Sequence, residues 1–141
     1  MMRTEKKRSR VALVLTGVVL LLAVSGASGW AAEGAPFAIQ RFLVCQDVQD
    51  REPVGISSTF SSTTEKVYAF LEAVDIPAET TADFVWYHGS DELARVTVKV
   101  GQAGRWRTYA NKNLYGLTGS WRVEIQDAEG SILGTVEFQV Q

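Results

Sequence analysis

The stretch GSWRVEIQDAEGSILGTVEFQV, residues 119–140, decides the fold of this chain. Apolar side chains alternate with polar ones from Trp121 to Ile125 and again from Ile132 to Val140. Between the two runs, Asp127 comes first and Gly130 last in a four-residue segment typical of a type I turn. Alternation of period two on both sides of such a turn predicts a β-hairpin.

Further strand-like runs precede this hairpin. Two of them are separated by Gly89-Ser90-Asp91, which predicts a second hairpin, and the second run has one dry and one wet face. The earliest run is followed by a turn-rich stretch, Asp50–Gly55, and by a polar loop from Ser57 to Thr64, which together predict a long connection. In chain order the runs are Phe37–Val48, Lys66–Val74, Asp83–His88, Glu92–Val100 and Arg105–Tyr109. A helix over 66–74 is the alternative there, although its valine and aromatic content favours a strand.

The predicted fold class is all-β. About seven short antiparallel strands with frequent turn signals indicate an immunoglobulin-like β-sandwich over residues 37–141, with a small barrel as the alternative. Trp86 falls in the middle of a predicted strand, where such sandwiches bury a tryptophan, and the alternation around Trp121 places it in the core as well. The chain has one cysteine, so an antibody-type domain with a cysteine pair is excluded.

The N-terminal residues have the pattern of a targeting segment. Five basic residues lie within the first ten positions, and an apolar run from Val11 to Val24 follows. Small residues at Gly29 and Ala31 predict cleavage after Ala31, with Ala27 as the second choice. The alternative is a retained membrane-anchor helix, since the run approaches the length that a bilayer requires. We therefore expect a signal peptide or anchor at 1–31, a short linker at 32–36, and a domain in the periplasm or otherwise outside the cytoplasm. If the N-terminal segment is not cleaved, it alone anchors the domain to the inner membrane.

The charge of the chain argues against nucleic acid as a ligand. Of 14 basic and 16 acidic residues, five and one fall within residues 1–31, which leaves a net charge of −6 on the remainder. Non-specific nucleic-acid binding depends on clustered Lys and Arg that neutralise phosphates, and an acidic domain does not offer that.

The single cysteine, Cys45, cannot form a disulfide within the chain. It is either a small buried apolar residue or an exposed thiol that pairs between chains, and its place in an apolar stretch favours burial.

Several segments together resemble a known family. In order, they are Cys45 with Val48, Arg51-Glu52-Pro53, Val67-Tyr68-Ala69-Phe70, Trp86-Tyr87, Ala94-Arg95-Val96, Trp106-Arg107-Thr108-Tyr109 with Lys112, and Gly119-Ser120-Trp121-Arg122-Val123-Glu124. In this order and spacing they resemble the bacterial exported family catalogued as domain of unknown function 2914. The resemblance extends over nearly all of the mature chain, and it implies a cell-envelope location with no assigned activity.

A basic and aromatic cluster is the candidate binding site. It comprises Arg105, Arg107, Tyr109 and Lys112, with Arg122 as a further member. Alternation places the first three on one strand face, where two guanidinium groups and a ring are suited to an anionic glycan or to the carboxylates of an envelope protein. The structural alternative is that Trp106 points into the core while the arginines cover the sheet and pair with Glu124 or Glu137.

No catalytic or metal-binding constellation can be assembled from the sequence. His88 is the only histidine, and nothing marks a nucleophile elbow or an oxyanion hole. Acid pairs such as Asp91-Glu92, or Asp127 with Glu129, fall in predicted turns, where solvated charge is usual. We expect a non-catalytic binding module without metal or cofactor, and a small hydrolase that uses carboxylates is the alternative.

Overall fold

The computed structural model describes residues 34–141, and within that range the chain is all-β. The strands are β1 Ala38–Gln49, β2 Glu52–Ile56, β3 Thr59–Phe60, β4 Lys66–Ile76, β5 Thr80–His88, β6 Asp91–Val100, β7 Ala103–Asn113, β8 Gly119–Gln126 and β9 Ile132–Val140. No helix among these residues has the length and apolar character needed to span a membrane. The predicted signal or anchor segment, residues 1–31, lies outside the described residues.

Two sheets face each other and form a sandwich, which confirms the predicted fold class. The four-stranded sheet has the order β2-β1-β4-β7, and the five-stranded sheet has the order β3-β9-β8-β5-β6. The seven predicted strands correspond to β1, β4, β5, β6, β7, β8 and β9. They divide into β1-β4-β7 and β9-β8-β5-β6, a division expected for an immunoglobulin-like sandwich. Both predicted hairpins are present, β5 with β6 and β8 with β9.

The turn of the last hairpin has the predicted chemistry. The N–H of Gly130 donates to the carbonyl oxygen of Asp127 at 3.0 Å, the hydrogen bond from the fourth residue to the first that is common in type I turns. One carboxylate oxygen of Asp127 also accepts the N–H groups of Glu129 and Ser131, at 3.0 and 2.8 Å. This carboxylate therefore stabilises the turn.

The segment predicted as one long connection contains two additional strands, so that part of the prediction is wrong. β2 pairs antiparallel with the end of β1, because Asp50 and Arg51 adopt positive φ values of 50° and 61° and reverse the chain tightly. β3 pairs with β9 in parallel, so the sandwich is not entirely antiparallel. A two-residue strand is too short to show periodicity, and its partner is distant in sequence. The run predicted to end at Tyr109 also continues to Asn113, because β4 pairs with it that far.

The core lies between the two sheets. Trp86 and Trp121 are 0% and 1% exposed, which confirms that both are core residues. The ring of Trp121 stacks on Phe138 at 5.8 Å, and its indole N–H donates to the carbonyl of Leu117 at 2.9 Å. The indole N–H of Trp86 has no acceptor within the described residues, so Trp86 stabilises the fold through packing.

Cys45 is fully buried, as the sequence favoured, but it is not a member of the central core. It lies on the side of the four-stranded sheet that faces away from the other sheet. Its sulfur contacts the carbonyl oxygen of Tyr68 at 3.7 Å, and burial raises the pKa of the thiol. This outward side therefore has a covering of its own.

Candidate functional site

The outer face of the four-stranded sheet holds three of the predicted site residues. Val67, Ala69, Leu71 and Ala73 of β4 point into the core, so the alternate residues point outward. Across from β4, Arg105, Arg107 and Tyr109 of β7 lie opposite Val74, Glu72 and Phe70. The prediction that these three β7 residues share one strand face is therefore confirmed.

The β1–β2 hairpin covers part of this outer face. Its tip brings Glu52 to two arginines on different strands, Arg41 of β1 and Arg107 of β7. Gly55 assists the return of the chain, since it has a φ of 69° and a Cβ there would meet the Gln46 side chain at 2.8 Å. Residues that are far apart in sequence thus converge above the sheet.

Phe70 is the centre of the covered area. It is 0% exposed although it lies on an outer face. The guanidinium carbon of Arg41 sits 4.9 Å from the centre of its ring, within the range of a cation–π interaction. Beside it, the rings of Tyr68 and Tyr109 lie 6.0 Å apart. Aromatic surface therefore underlies the charged groups.

The charges on this face form a network with more cations than anions. The guanidinium of Arg41 donates to both carboxylate oxygens of Glu52 at 3.1 Å, and to Glu72 at 2.8 Å. Glu52 also pairs with Arg107, while Arg105 lies 3.9 Å from Glu72. Three arginines thus share two glutamates. The hydrogen bond from Arg41 lowers the pKa of the Glu52 carboxyl, and the two glutamates in turn raise the pKa of Arg41.

Arg105 is the most available cation of the network. Its side chain is 66% exposed, compared with 29% for Arg107 and 33% for Arg41. Its one ion-pair contact within the described residues is also the longest of the network. Of the three arginines in the network, Arg105 is thus the most accessible to an anion in solution.

A cavity of about 320 Å³ opens at this place. Its lining residues are Arg51, Phe70, Arg105, Trp106, Arg107, Thr108 and Tyr109. Arg51, at the hairpin tip, makes no salt bridge among residues 34–141, so it adds a second weakly engaged cation. We call this cavity and the arginines around it the basic–aromatic face.

Two of the predicted site residues lie elsewhere. Lys112 lies opposite the core residue Val67, and its ammonium group bonds the carbonyl of Asn113 and sits over the ring of Tyr115. Arg122 is on the outer face of the other sheet, 3.1 Å from Glu124 and above the ring of Tyr87 at 4.0 Å. The sandwich places its two sheets back to back, so Arg122 cannot join Arg105 and Arg107.

The structural alternative, with Trp106 in the core and the arginines paired with Glu124 or Glu137, agrees with the structure only in part. Trp106 packs against the edge of the core, where its indole N–H donates to the carbonyl of Lys99 at 3.1 Å. Arg107 and Arg105 pair with Glu52 and Glu72 rather than with Glu124 or Glu137. Only Arg122 pairs with Glu124.

Sequence reasoning missed several members of the face. Phe70 and Glu72 did carry a signal, because alternation along β4 places both on the face of the strand that points away from the core. Arg51 and Glu52 carried none, since they reach the site through a hairpin that was predicted as a loop. Their contribution depends on a contact over 55 residues, between Glu52 and Arg107. Arg41 lies in the first predicted strand, whose neighbouring strands the sequence does not identify.

Other groups of chemistry-bearing residues have structural partners. No three His, Cys, Asp or Glu side chains are grouped as a metal site would need within residues 34–141. His88 bonds the carbonyl of Thr118 at 2.7 Å and packs against Trp121. Glu92 pairs with Arg95, and Asp127 stabilises its turn, so both predicted acid pairs have a member with a structural role.

A cleft of about 700 Å³ lies between the beginnings of β1 and β9. Its walls are mainly apolar, with Ile39, Phe42, Ile132 and Leu133 among them, and among residues 34–141 Asp75 is the one charged residue in its lining. Its chemistry is thus unlike that of the basic–aromatic face.

Comparison with known proteins gives a family and a weak structural likeness. No curated protein matches the chain. Among solved structures, the chain resembles a β-glucosidase from Listeria innocua in complex with glucose, with 9% sequence identity and a TM-score of 0.42. The superposition covers 74% of this chain and 15% of that chain, so the present chain spans a small part of the enzyme. A likeness at this level carries no functional argument.

A family match covers the strands that carry Arg105, Arg107 and Tyr109. Residues 79–140, which include β5 to β9, match the model described as Protein of unknown function (DUF2914). This match confirms the resemblance read from the sequence, over a shorter stretch that leaves β1 to β4 outside. Over residues 79–140, less than half of its length, the chain is therefore similar to the family described as Protein of unknown function (DUF2914).

Proposed function

We propose that this chain is a non-catalytic binding module of the cell envelope, and that the basic–aromatic face holds an anionic ligand. The observation that carries the proposal is the surplus of cations: Arg41, Arg105 and Arg107 share two glutamates around a cavity that Arg51 also lines. An acidic domain with one positive patch attracts acidic partners by its field as well as by contact. An anionic glycan and an acidic protein segment both have the required charge.

The arrangement of the carboxylates supports binding rather than hydrolysis. A hydrolase of the alternative kind needs two carboxyl groups that face a shared substrate space, one of them with a raised pKa. On the basic–aromatic face, Glu52 and Glu72 are engaged by arginines, and the pKa of Glu52 is lowered. These carboxylates balance arginine charge and orient the guanidinium groups.

The test is a titration with two polyanions, a short polyglutamate and an oligogalacturonate, at low and at physiological ionic strength. We expect at least one of them to bind and to weaken as salt rises, because exposed charges are screened over about 8 Å at physiological salt. Arg105→Ala/Arg107→Ala should abolish binding. Arg107→Lys should retain more affinity than Arg107→Ala, because a lysine keeps the charge but not the planar fork.

Arg122→Ala is the matched control for this titration. It removes the same type of side chain from the opposite sheet, so it should leave polyanion affinity unchanged. The melting temperature of each variant must be followed in parallel, because an arginine stem can also cover the sheet. Full affinity in a stably folded Arg105→Ala/Arg107→Ala variant would assign the cluster to structure, and failure of both polyanions to bind at low salt would overturn the proposal.

The proposed location has a separate test. Expression of the full chain in a Gram-negative host should yield a periplasmic species that begins at Ala32, which intact-mass analysis detects. A soluble cytoplasmic protein with an uncut N-terminal segment would contradict the location without affecting the binding site.

A further inference from the structure

We propose that the free edge of β7 accepts an extended acidic peptide as an added strand, with its carboxylates against Arg105 and Arg107. The inference rests on the proposed function and deepens it, because it names the class of partner and the way it docks. In this mode, main-chain hydrogen bonds supply affinity and alternate side chains supply specificity.

The first support is the exposed edge itself. β7 pairs with β4 from Ala103 to Asn113, and no other described strand pairs with its second side. A strand of 11 residues therefore presents a row of main-chain donors and acceptors to solvent. Beneath the edge, the side chain of Trp106 reaches the carbonyl of Lys99 on β6 and fills the space between the two sheets. The space below β7 is thus filled while its hydrogen-bonding edge stays open.

The two sides of this edge differ in chemistry. On the outer side, Arg105 and Arg107 stand two residues apart, next to the cavity. On the inner side, the apolar surfaces of Trp106 and Ala110 face the other sheet. An added strand whose acids alternate with apolar residues would place carboxylates beside the arginines and apolar groups beside Trp106. Opposite charges on neighbouring strands stabilise such pairs.

The other sheet edges fit an acidic strand less well. β3 has two residues, and β2 has five, including Pro53, which has no N–H to donate. β6 is long, but its Arg95 already contacts Asp83 and Glu92, and its Lys99 contacts Glu79. An acidic strand at β6 would meet carboxylates that are already in place. Among the described edges, β7 combines length with a network in which arginines outnumber carboxylates.

The same features favour a peptide over an anionic glycan. A glycan can neutralise the arginines, but it lacks the alternating N–H and C=O groups that an open strand edge can bond. Five consecutive residues of β7, from Arg105 to Tyr109, also line the cavity. The cavity therefore lies against the edge strand.

The test uses the full chain and the capped peptide acetyl-Thr-Glu-Val-Glu-Val-Glu-Thr-amide. Two further versions carry N-methyl groups on alternate residues, one version on the glutamates and the other on the valines. In a strand, alternate N–H groups point to opposite sides, so one version loses the groups that face β7 and the other keeps them. We expect one methylated version to bind about tenfold or more weakly than the parent, and the other to bind within about twofold.

Variants of the protein complete the design. Arg105→Ala should weaken binding of the parent peptide, whereas Arg122→Ala should not. Equal binding by both methylated versions would overturn strand addition while leaving the proposed anion site intact, and so would binding of oligogalacturonate without binding of the peptide. Failure of all anions, or full peptide affinity in folded Arg105→Ala/Arg107→Ala, would overturn the proposed function as well.

Discussion

The outer faces of the two sheets are built from the same residue types, yet they have different properties. On the five-stranded sheet, Arg95 and Arg122 meet three carboxylates, those of Asp83, Glu92 and Glu124. On the four-stranded sheet, three arginines meet two carboxylates. The first arrangement leaves negative charge in excess, and the second leaves positive charge in excess. An arginine on a strand is thus a binding candidate only when its surroundings leave its charge uncompensated.

The covering of the two faces differs as well. The four-stranded sheet carries the folded-back β1–β2 hairpin, which places Glu52 among the arginines. The contacts within the network on the five-stranded sheet, in contrast, come from side chains of the sheet itself. The charge network of the four-stranded sheet therefore depends on a contact between residues that are distant in sequence. The network of the five-stranded sheet depends on which residues the strand register places side by side.

The most damaging change should be one that removes the core on which both faces rest. Trp86→Ala should lower the free energy of unfolding by about 3 to 5 kcal/mol, because a fully buried indole is replaced by a cavity. Chemical denaturation measures this loss. Ile132→Ala, at an exposed position, should cost less than about 1 kcal/mol. A loss below about 1 kcal/mol for Trp86→Ala with unchanged spectra would mean that the indole is exposed.

A second pair of variants compares the two faces directly. Phe70 and Val85 are both fully buried although both point away from the core between the sheets. Phe70→Ala should cost about 3 to 4 kcal/mol because it empties the space under Arg41 and the hairpin. Val85→Ala removes two methyl groups and should cost about 1 to 2 kcal/mol. Equal and small losses in denaturant melts would show that the hairpin does not cover Phe70.

The thiol of Cys45 reports on the same covering. Burial raises its pKa and shields it, and only the thiolate reacts readily. We expect a colorimetric disulfide reagent to label the native protein at least about tenfold more slowly than the urea-unfolded protein. The native protein should also form no dimer linked through Cys45. Immediate stoichiometric labelling would show that the β1–β2 hairpin opens freely.

A matched pair of glutamates sharpens the charge comparison. Glu52→Gln frees Arg41 and Arg107 for an external anion, so affinity for polyglutamate should rise by about twofold to fivefold. Glu92→Gln releases Arg95 on the other face and should leave this affinity unchanged. Titration at constant ionic strength distinguishes the two variants. An equal rise in both would indicate that net charge, rather than the basic–aromatic face, controls binding.

The smallest expected effect is on acid stability. Because the hydrogen bond from Arg41 lowers the folded-state pKa of Glu52, its stabilising effect is present above about pH 4.3, the usual glutamate pKa. The effect is lost as the pH falls through the lowered folded-state value. Melting temperatures of Glu52→Gln should therefore fall less steeply below pH 4 than those of the wild type. Parallel curves would indicate that the Glu52 contacts do not form in solution.

Local alternation was enough to determine most of the fold. The hairpin around Asp127–Gly130, the dry face of β6 and the two core tryptophans all follow from period-two patterns, because neighbouring side chains on a strand point to opposite faces. The same rule correctly placed Arg105, Arg107 and Tyr109 together. Sequence proximity, however, wrongly suggested that Lys112 and Arg122 belong with them.

What only the tertiary structure decided is which strands lie beside one another and what folds over them. Arg122 is 15 positions from Arg107, but it lies on the opposite sheet, whereas Glu52 is 55 positions away and contacts Arg107. Periodicity reports the orientation of a side chain relative to its own strand and carries no information on the packing of distant strands. The strand faces were therefore determined by the sequence, while the composition of the basic–aromatic face depended on the sandwich topology and on the fold-back of the β1–β2 hairpin.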